Sequence, residues 1–481
     1  MSANSARRTL GPLPGLGVGM VYFPSLEPLL EAGRDLIQVL EIEPQPYWIK
    51  QAETHSPYRL DGRAFARIRQ WPQPKIVHGV GMPVGSSLGL DDSQMEAFLR
   101  SIGQLQPAWV SEHLAFLRAP GPQGPYPAGF LLPPLQSPET VRLAVRNIRR
   151  FQAQLGLPFA FENGPNYLRP QRGELPDGEF LARIAEEADC GMLLDMHNLW
   201  CNHLNGRQPI GETLASLPLE RVWEIHLAGG DSYQGHWLDA HSGTVPEALL
   251  ELCFEWVPRM PNLKAIIFEI IPDYVLAKGI SMDALLAQLQ TLHALWACRG
   301  SRCGGRPVAD YAVTPEAEAL PEPAAWEQAL ASLVNRHPPA DALQTALAAD
   351  PGVGVLQHLV SSVRAGMLVD LLTLSYRLMA LHLGDEAVQA IMDAYWSQTF
   401  PEPFAAEEAS RFVGFVRQLD LPVPHLVEVL AYELASMEAL KSGKETIVDF
   451  SCPPLPLLEA LGRGRLPGQL PAGRYEVAVQ P

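Results

Sequence analysis

Residue types that commonly bind metal ions recur at the ends of short apolar runs up to about residue 300. The runs are KIVHG, VSEH, FAFEN, LLDMHN, EIHL and IIFEI, and the loop WLDAH follows the fifth of them. They supply His78, Glu112, His113, Glu162, Asp195, His197, Asn198, Glu224, His226, Asp239, His241 and Glu269. Mixed imidazole and carboxylate ligands suit zinc, manganese and non-haem iron, whereas soft-metal and iron–sulfur centres require thiolates, which these positions lack.

Each of these residues has an ordinary structural explanation when it is considered alone. A single strand-end histidine, such as His78 or His226, is more often satisfied by hydrogen bonds than bound to a metal. Glu162 or Glu269 could likewise pair with an arginine. Such residues recur, however, at the ends of successive strands. Separate structural explanations do not account for this recurrence, because clustered buried carboxylates and imidazoles need compensating charge. The pattern therefore predicts a centre with bound metal ions.

The elements that would position these residues are eight strand-like runs separated by amphipathic helical patterns. The runs cover residues 17–22, 38–44, 75–79, 108–113, 159–163, 191–195, 222–227 and 265–270. Eight β/α units in this length favour a TIM (β/α)8 barrel over an open doubly wound sheet. Reactive residues of that fold project from the carboxyl ends of the strands, where the candidate ligands lie.

The composition changes near residues 299–324, where Gly, Pro, Ala and Glu replace the periodic pattern. We predict a barrel domain over 1–300, a linker over 301–324 and a smaller, mainly α-helical domain over 325–481. In residues 325–481, strand-like sequence is confined to ETIVDF (445–450) and YEVAV (475–479). Residues that could act in catalysis are scattered in this domain. We therefore expect it to bind a partner, and we expect the barrel to carry the catalytic site.

The charge and composition of the chain exclude several classes of protein. The formal net charge of -17 opposes nucleic-acid binding, since a polyanion would be repelled. No apolar stretch is long enough to predict a membrane span. The six cysteines are scattered without CxxC spacing, which favours a reducing, cytoplasmic location.

The ordered segments HGVGMPVGS, SEHLAF, FENGPNY, LLDMHNLWCN, EIHLAGG, LDAHSG and FEI resemble the multinuclear non-haem iron-dependent oxidative enzymes. This family of TIM barrels includes the methanobactin-biosynthesis oxidase, and the resemblance covers about residues 14 to 295. It implies modification of cysteine residues in a ribosomally synthesised precursor peptide, with O2 as co-substrate. The implied cofactor is two or three iron ions in mixed Fe(II)/Fe(III) states.

The resemblance also implies which residues hold each ion. His78, His113 and Glu162 would hold one iron, with Glu162 bridging, and Asp195, His226 and Glu269 would complete the second. Asp239, His241 and Asn198 would form a third site, where the similar three-zinc endonuclease IV barrels have histidine in place of Asn198. An amide is a weaker ligand than imidazole, so the third site is expected to bind least tightly. Glu162, Asp195, Asn198 and His241 are the residues assigned to catalysis.

The C-terminal segments FPEPFAAEEASRFVGFVRQ and PHLVEVLAYELASMEAL resemble the helical partner proteins of these oxidases. The resemblance implies that a peptide-binding partner is fused to the barrel in one chain. Two other functions stay open: a zinc-dependent phosphodiesterase or metal-dependent sugar isomerase of the same barrel type, and a non-catalytic scaffold that binds metal or peptide.

Overall fold

The computed structural model describes residues 13–51, 56–302 and 320–480. Its strands are β1 (Gly17–Val21), β2 (Val39–Ile42), β3 (Trp48–Lys50), β4 (Tyr58–Leu60), β5 (Lys75–Gly79), β6 (Val110–Leu114), β7 (Phe116–Ala119), β8 (Tyr126–Leu132), β9 (Phe159–Asn163), β10 (Gly191–Asp195), β11 (Val222–Ala228), β12 (Asp231–Tyr233), β13 (His236–Leu238), β14 (Ala265–Glu269), β15 (Thr446–Phe450) and β16 (Tyr475–Val479).

The α-helices are α1 (Glu27–Ala32), α2 (Gly62–Arg69), α3 (Asp92–Leu105), α4 (Pro138–Leu155), α5 (Asp177–Ala188), α6 (Met196–Leu204), α7 (Ile210–Ser216), α8 (Glu247–Trp256), α9 (Pro272–Ala277), α10 (Met282–Cys298), α11 (Pro323–Val334), α12 (Ala342–Ala348), α13 (Pro351–Leu371), α14 (Thr373–Leu383), α15 (Asp385–Trp396), α16 (Ala405–Val416), α17 (Leu426–Ser442) and α18 (Pro454–Gly462). Short 3-10 turns lie at Pro24–Leu26, Gln45–Tyr47, Leu219–Arg221 and Val257–Arg259.

Eight parallel strands close into a barrel in the order β1-β14-β11-β10-β9-β6-β5-β2. This confirms the predicted TIM barrel, and each barrel strand agrees with a predicted run to within two residues at either end. Buried apolar side chains from the strands, including Val21, Val39, Ile76 and Ile267, form one of the cores inside it. Such packing leaves the carboxyl ends of the strands as the place for polar side chains.

The helices around the barrel carry ordinary start and stop signals. Before α4, Ser137 Oγ accepts a hydrogen bond from the Thr140 backbone N–H, and Pro138 occupies the first helical position. The helix ends at Gly156, whose φ of +66° places it in the left-handed region that glycine adopts without strain. Three two-stranded sheets, β3–β4, β7–β8 and β12–β13, lie outside the barrel.

The described residues divide into two compact units. The first contains the residues up to Pro120, Leu131–Gln328 and Asp350–Val355, and the second contains Gly121–Phe130, Ala329–Ala349 and the residues from Leu356 onward. The second unit is mainly helical, as predicted, with β15 and β16 paired as an antiparallel hairpin. Its core includes Tyr395, Phe412, Val429 and Leu457.

Most of the predicted linker, residues 303–319, lies outside the described residues. The chain after it begins α11 in contact with the first unit. Trp326 is buried, and its Nε1 donates to the Pro133 carbonyl at 3.2 Å. Glu327 accepts a hydrogen bond from the Ser87 backbone N–H at 2.6 Å. The first turn of α11 therefore belongs to the barrel unit.

Helix α13 is long and apolar enough to cross a membrane by length and composition alone. Arg364 within it is buried and forms an ion pair with Glu408 at 2.6 Å, and it also donates to the Thr399 carbonyl. Leu368, further along the helix, lies in the core of the second unit. Arg364 and Leu368 therefore pack within the second unit.

Candidate metal centre

The nine predicted metal ligands all lie at the carboxyl ends of barrel strands or in the segments that follow them. They are His78 on β5, His113 on β6, Glu162 on β9, Asp195 at the end of β10, Asn198 in α6, His226 on β11, Asp239 and His241 after β13, and Glu269 at the end of β14. Asp195, Asn198, His226 and Glu269 are buried, whereas the His241 side chain is 26% exposed.

Two histidines face one oxygen of Glu162. Glu162 Oε2 lies 3.1 Å from His78 Nε2 and 3.0 Å from His113 Nε2. The opposite ring nitrogens are already held, because His78 Nδ1 lies 2.8 Å from Ser111 Oγ and His113 Nδ1 lies 3.1 Å from the Gly79 carbonyl. The Nε2 atoms are thus directed to a common point beside the carboxylate.

The other oxygen of Glu162 faces a second group of residues. His226 Nδ1 lies 3.6 Å from Glu162 Oε1 and 3.2 Å from Glu269 Oε1. Ligand atoms of Glu162, Asp195 and His226 all lie within 4.8 Å of one another. Glu162 therefore lies between the two groups, which is the position required of a bridging carboxylate.

A third group forms where the loop after β13 meets β10 and β14. Asp195, His241 and Glu269 have ligand atoms within 4.8 Å of one another. His241 Nε2 lies 3.0 Å from Asp239 Oδ1 and 3.4 Å from Glu269 Oε2. Asp195 and Glu269 are therefore close to more than one of these groups.

Asn198 lies one helical turn after Asp195. Its backbone N–H donates to Asp195 Oδ1 at 2.6 Å, and its side-chain Nδ2 donates to the Asn163 carbonyl at 3.1 Å. This arrangement leaves Asn198 Oδ1 buried without a hydrogen-bond partner. The amide oxygen is the atom that could bind a cation.

The charged groups strongly alter one another's proton affinity. Burial and the nearby Asp239 carboxylate raise the pKa of Asp195 well above its usual range. Burial alone would lower the pKa of His78, but the Glu162 carboxylate raises it to about 10. Burial would also lower the pKa of His241, but the Asp239 and Glu269 carboxylates together raise it well above its usual range. The centre thus attracts positive charge, which either protons or metal ions can supply.

Buried polar atoms without hydrogen bonds test whether metal ions fit this centre. Among the described residues these atoms include Glu162 Oε2, Asp195 Oδ2, Asn198 Oδ1, His226 Nδ1, His241 Nε2 and Glu269 Oε2. Unsatisfied buried polar atoms are costly and rare in native proteins. All six belong to predicted ligands, and cations coordinated between them would satisfy them together. The residues present therefore fit a centre of more than one metal ion.

Two further buried carboxylates lie beside the centre: Glu41, which was not identified in the sequence, and Glu224, which was identified but not assigned as a ligand. Glu41 on β2 lies 3.2 Å from His226 Nε2, on the side of the ring away from Glu269, and burial raises its pKa to about 7. Glu224 accepts a hydrogen bond from Trp109 Nε1 at 2.8 Å. The signal available for Glu41 was its place in LEIEP, another run with carboxylates at its end.

His197, identified in the sequence but not assigned as a ligand, supports the third group. Its Nδ1 lies 2.8 Å from Asp239 Oδ1, and its Nε2 accepts a hydrogen bond from Trp237 Nε1 at 3.1 Å. Since both ring nitrogens are engaged, His197 orients the Asp239 carboxylate toward His241.

Comparisons with known proteins connect this geometry to a family. Residues 17–290 match the family model described as RiPP precursor modification enzyme MbnB/TglH/ChrH. A UPF0276 protein of Anaeromyxobacter sp. is 34% identical over 231 residues, which are 47% of this chain and 80% of the relative. A UPF0276 protein of Caulobacter vibrioides is 28% identical over 297 residues, which are 61% of this chain and 99% of the relative.

Solved structures of other proteins are similar at low sequence identity. A xylose isomerase domain containing protein of Salmonella typhimurium covers 59% of this chain and 97% of its own, with 14% identity and a TM-score of 0.39. Endonuclease IV of Thermus thermophilus covers 59% of this chain and 98% of its own, with 16% identity and a TM-score of 0.35.

Proposed function

Because the chain belongs to the MbnB/TglH/ChrH family of RiPP precursor modification enzymes, we propose that it is an iron-dependent oxidase. It uses O2 as the electron acceptor to oxidise cysteine residues of a ribosomally synthesised precursor peptide. The observation that carries this proposal is the cluster of buried ligand atoms without hydrogen bonds at the barrel mouth.

The donor set fits iron, as it also fits zinc and manganese, and the choice of iron rests on the resemblance to the iron-dependent enzymes. Imidazole and carboxylate ligands without thiolate suit non-haem iron, and this set leaves the thiol ligand to be supplied by the peptide. His78, His113 and Glu162 would hold one ion, Asp195, His226 and Glu269 a second, and Asp239, His241 and Asn198 a third. When bound, iron would activate O2 and bind the substrate thiolate.

Other residues of this chain orient those ligands. Ser111 and the Gly79 carbonyl fix the rings of His78 and His113. Glu41 does the same for His226, because its carboxylate lies 3.2 Å from His226 Nε2. The Glu162 carboxylate would neutralise two ions at once, and Asp195, Asn198 and His241 would form the part of the centre that receives the cysteine.

The second unit supplies peptide binding in this proposal. It is mainly helical, and the overlapping groups of carboxylates and imidazoles among the described residues all lie in the barrel unit. The partner is a cysteine-containing precursor peptide in the cytoplasm, and nucleic acid stays disfavoured by the net charge of -17. The partner domain is part of the same chain.

The test combines metal analysis with O2 uptake. Protein prepared aerobically is expected to contain iron, and it should consume O2 when it is given a precursor peptide with cysteine but not the same peptide with serine. Glu162→Gln should abolish this uptake, whereas Glu139→Gln, an exposed change in α4 outside the centre, should not. Zinc as the functional metal, with hydrolysis or isomerisation and no O2 uptake, would replace the proposal with the alternative barrel chemistry.

A further inference from the structure

The second unit holds another cluster of potential metal ligands, composed of His425, Glu428, Ser451 and Cys452. His425 precedes α17, Glu428 lies in its first turn, and the other two residues follow β15. Ligand atoms of His425, Glu428 and Cys452 all lie within 4.8 Å of one another. Residues from two elements form this C-terminal cluster. The cluster lies in the second unit, whereas the barrel centre lies in the first.

Three side-chain atoms surround one ring nitrogen in this cluster. His425 Nδ1 lies 3.1 Å from Glu428 Oε2, 3.4 Å from Ser451 Oγ and 3.6 Å from Cys452 Sγ. A single N–H can donate one good hydrogen bond, so a protonated Nδ1 would serve only one of the three. A cation in its place could be coordinated by all of them.

The cluster is also held in this arrangement by the backbone. The Ser451 N–H donates to Glu428 Oε1 at 3.0 Å, which turns Oε2 toward the histidine. His425 has a φ of +65°, a left-handed conformation that is costly for a histidine. Cys452 is 1% exposed, and the side chains of His425 and Glu428 are 27% and 21% exposed. An ion could therefore reach the cluster from solvent while the sulfur stays shielded.

The distances match those between ligands of a tetrahedral zinc ion. With Zn–S of about 2.3 Å and Zn–N of about 2.1 Å, tetrahedral geometry separates sulfur from nitrogen by about 3.6 Å. The observed separation between Cys452 Sγ and His425 Nδ1 is 3.6 Å. Nitrogen and carboxylate oxygen would be about 3.3 Å apart in the same geometry, against the observed 3.1 Å.

We infer that His425, Glu428 and Cys452 bind a Zn²⁺ ion, with water or Ser451 Oγ as the fourth ligand. One thiolate, one imidazole and one carboxylate form a borderline donor set that suits Zn²⁺ better than the hard ions Mg²⁺ and Ca²⁺. The ion joins the start of α17 to the end of β15 and so serves the structure of the second unit. This inference does not depend on the proposed oxidase function.

Cobalt substitution of the full-length protein tests the site separately from the barrel. A thiolate ligand gives Co²⁺ an intense charge-transfer absorption, which imidazole and carboxylate ligands do not. Among the described residues, the C-terminal cluster is the group of potential ligands that includes a cysteine. The protein loaded with Co²⁺ is expected to show this absorption, and Cys452→Ser should remove it and lower bound zinc by about one equivalent.

Two further variants guard against a Cys452 variant that fails to fold. Glu428→Gln and His425→Asn should each weaken Co²⁺ binding at least 10-fold, and asparagine tolerates the left-handed backbone at position 425. Cys298→Ser, at a cysteine whose Sγ donates to the Ala294 carbonyl, is the matched control and should keep the absorption. Absence of the thiolate absorption in the wild-type protein, or its persistence in Cys452→Ser, would overturn the inference.

Discussion

Glu162 is the residue on which most of the centre depends, since its two carboxylate oxygens face different groups of ligands. Oε2 lies within 3.1 Å of two histidine nitrogens, and Oε1 lies 3.6 Å from His226. Glu162→Gln keeps the shape but removes the charge that would be shared by two ions. We expect it to lower bound iron by more than one equivalent, measured by elemental analysis of the purified protein. Loss of one equivalent or less would contradict the bridging role.

Asn198 is expected to make the third site the weakest of the three. Its amide oxygen is buried and without a hydrogen bond, but a neutral amide donates less electron density than imidazole. Mild chelation should therefore remove the third ion first. Asn198→His should raise its occupancy, and His241→Ala should lower it while the first site stays filled. Anomalous scattering before and after chelation measures the occupancy of each site. Equal occupancy of all sites after chelation would contradict the prediction.

Glu41 is a positioning residue, because it contacts His226 on the side away from Glu269. Glu41→Gln can still contact the ring but cannot carry the negative charge that stabilises it. We expect the affinity for the ion held by His226 to fall about 10- to 100-fold, measured by competition with a chelator. Glu31→Gln, an exposed change in α1, is the control. Unchanged affinity in Glu41→Gln would mean that Glu41 has no role in metal binding.

The sequence predicts a metal ligand where a residue type that commonly binds metal stands at the end of a strand. A histidine or a His/Asp pair at a strand end is conspicuous, as in KIVHG and WLDAH. Glu41 is not conspicuous, since the only potential ligands in LEIEP are glutamates, which usually lie on the surface. The contact between Glu41 and His226, 185 residues apart, is created by barrel closure. No local pattern contains it.

Among the elements, the barrel strands and the β15–β16 hairpin were predictable, whereas the small sheets β3–β4, β7–β8 and β12–β13 were not. Strands such as β9 and β14 are buried along their whole length, so they appear as continuous apolar runs bounded by turns. The hairpin β12–β13 has only three residues in each strand, most of them partly exposed. Its sequence, DSYQGHWL, lacks the apolar alternation that would distinguish it from a loop.

Helix α11 carries a pH-dependent contact with the barrel unit. Burial raises the pKa of Glu327 to about 7, although Ser87 donates hydrogen bonds to it. An unfolded glutamate titrates near 4.5, so between these values the folded chain holds a proton that the unfolded chain releases. The stabilisation from Glu327 is therefore complete below about pH 4.5 and decreases as the pH rises to about 7.

Glu327→Gln should remove this part of the pH dependence, because its amide resembles the protonated carboxyl. We expect the variant to be more stable than the wild type at pH 8 by about 3 kcal/mol, and nearly equal to it at pH 4.5. Urea unfolding at the two pH values measures the difference. Glu322→Gln, at an exposed position one residue before α11, should change neither value. A constant difference at both pH values would show that Glu327 does not titrate in this range.

For the whole molecule, the proposed fusion of catalytic barrel and peptide-binding partner makes a prediction about the link between them. All nine predicted barrel ligands lie before residue 270, whereas the resemblance to partner proteins begins after the predicted linker. A linker of about 20 residues holds two parts at an effective concentration near millimolar. The parts therefore need little affinity of their own while the chain is intact.

Cutting the chain at a protease site inserted near Pro315 tests this arrangement in the assembled protein. The metal content should not change, because every predicted barrel ligand remains in one fragment. Binding of the precursor peptide should become dependent on protein concentration, since dilution separates fragments that are no longer tethered. Trp326→Ala should make the separation occur at higher concentration, because Trp326 is buried and bound to the Pro133 carbonyl. Size-exclusion chromatography and peptide titration at several concentrations measure both effects. Loss of metal on cutting, or peptide binding that is the same at every dilution, would contradict the proposal that one part binds metal and the other binds the peptide.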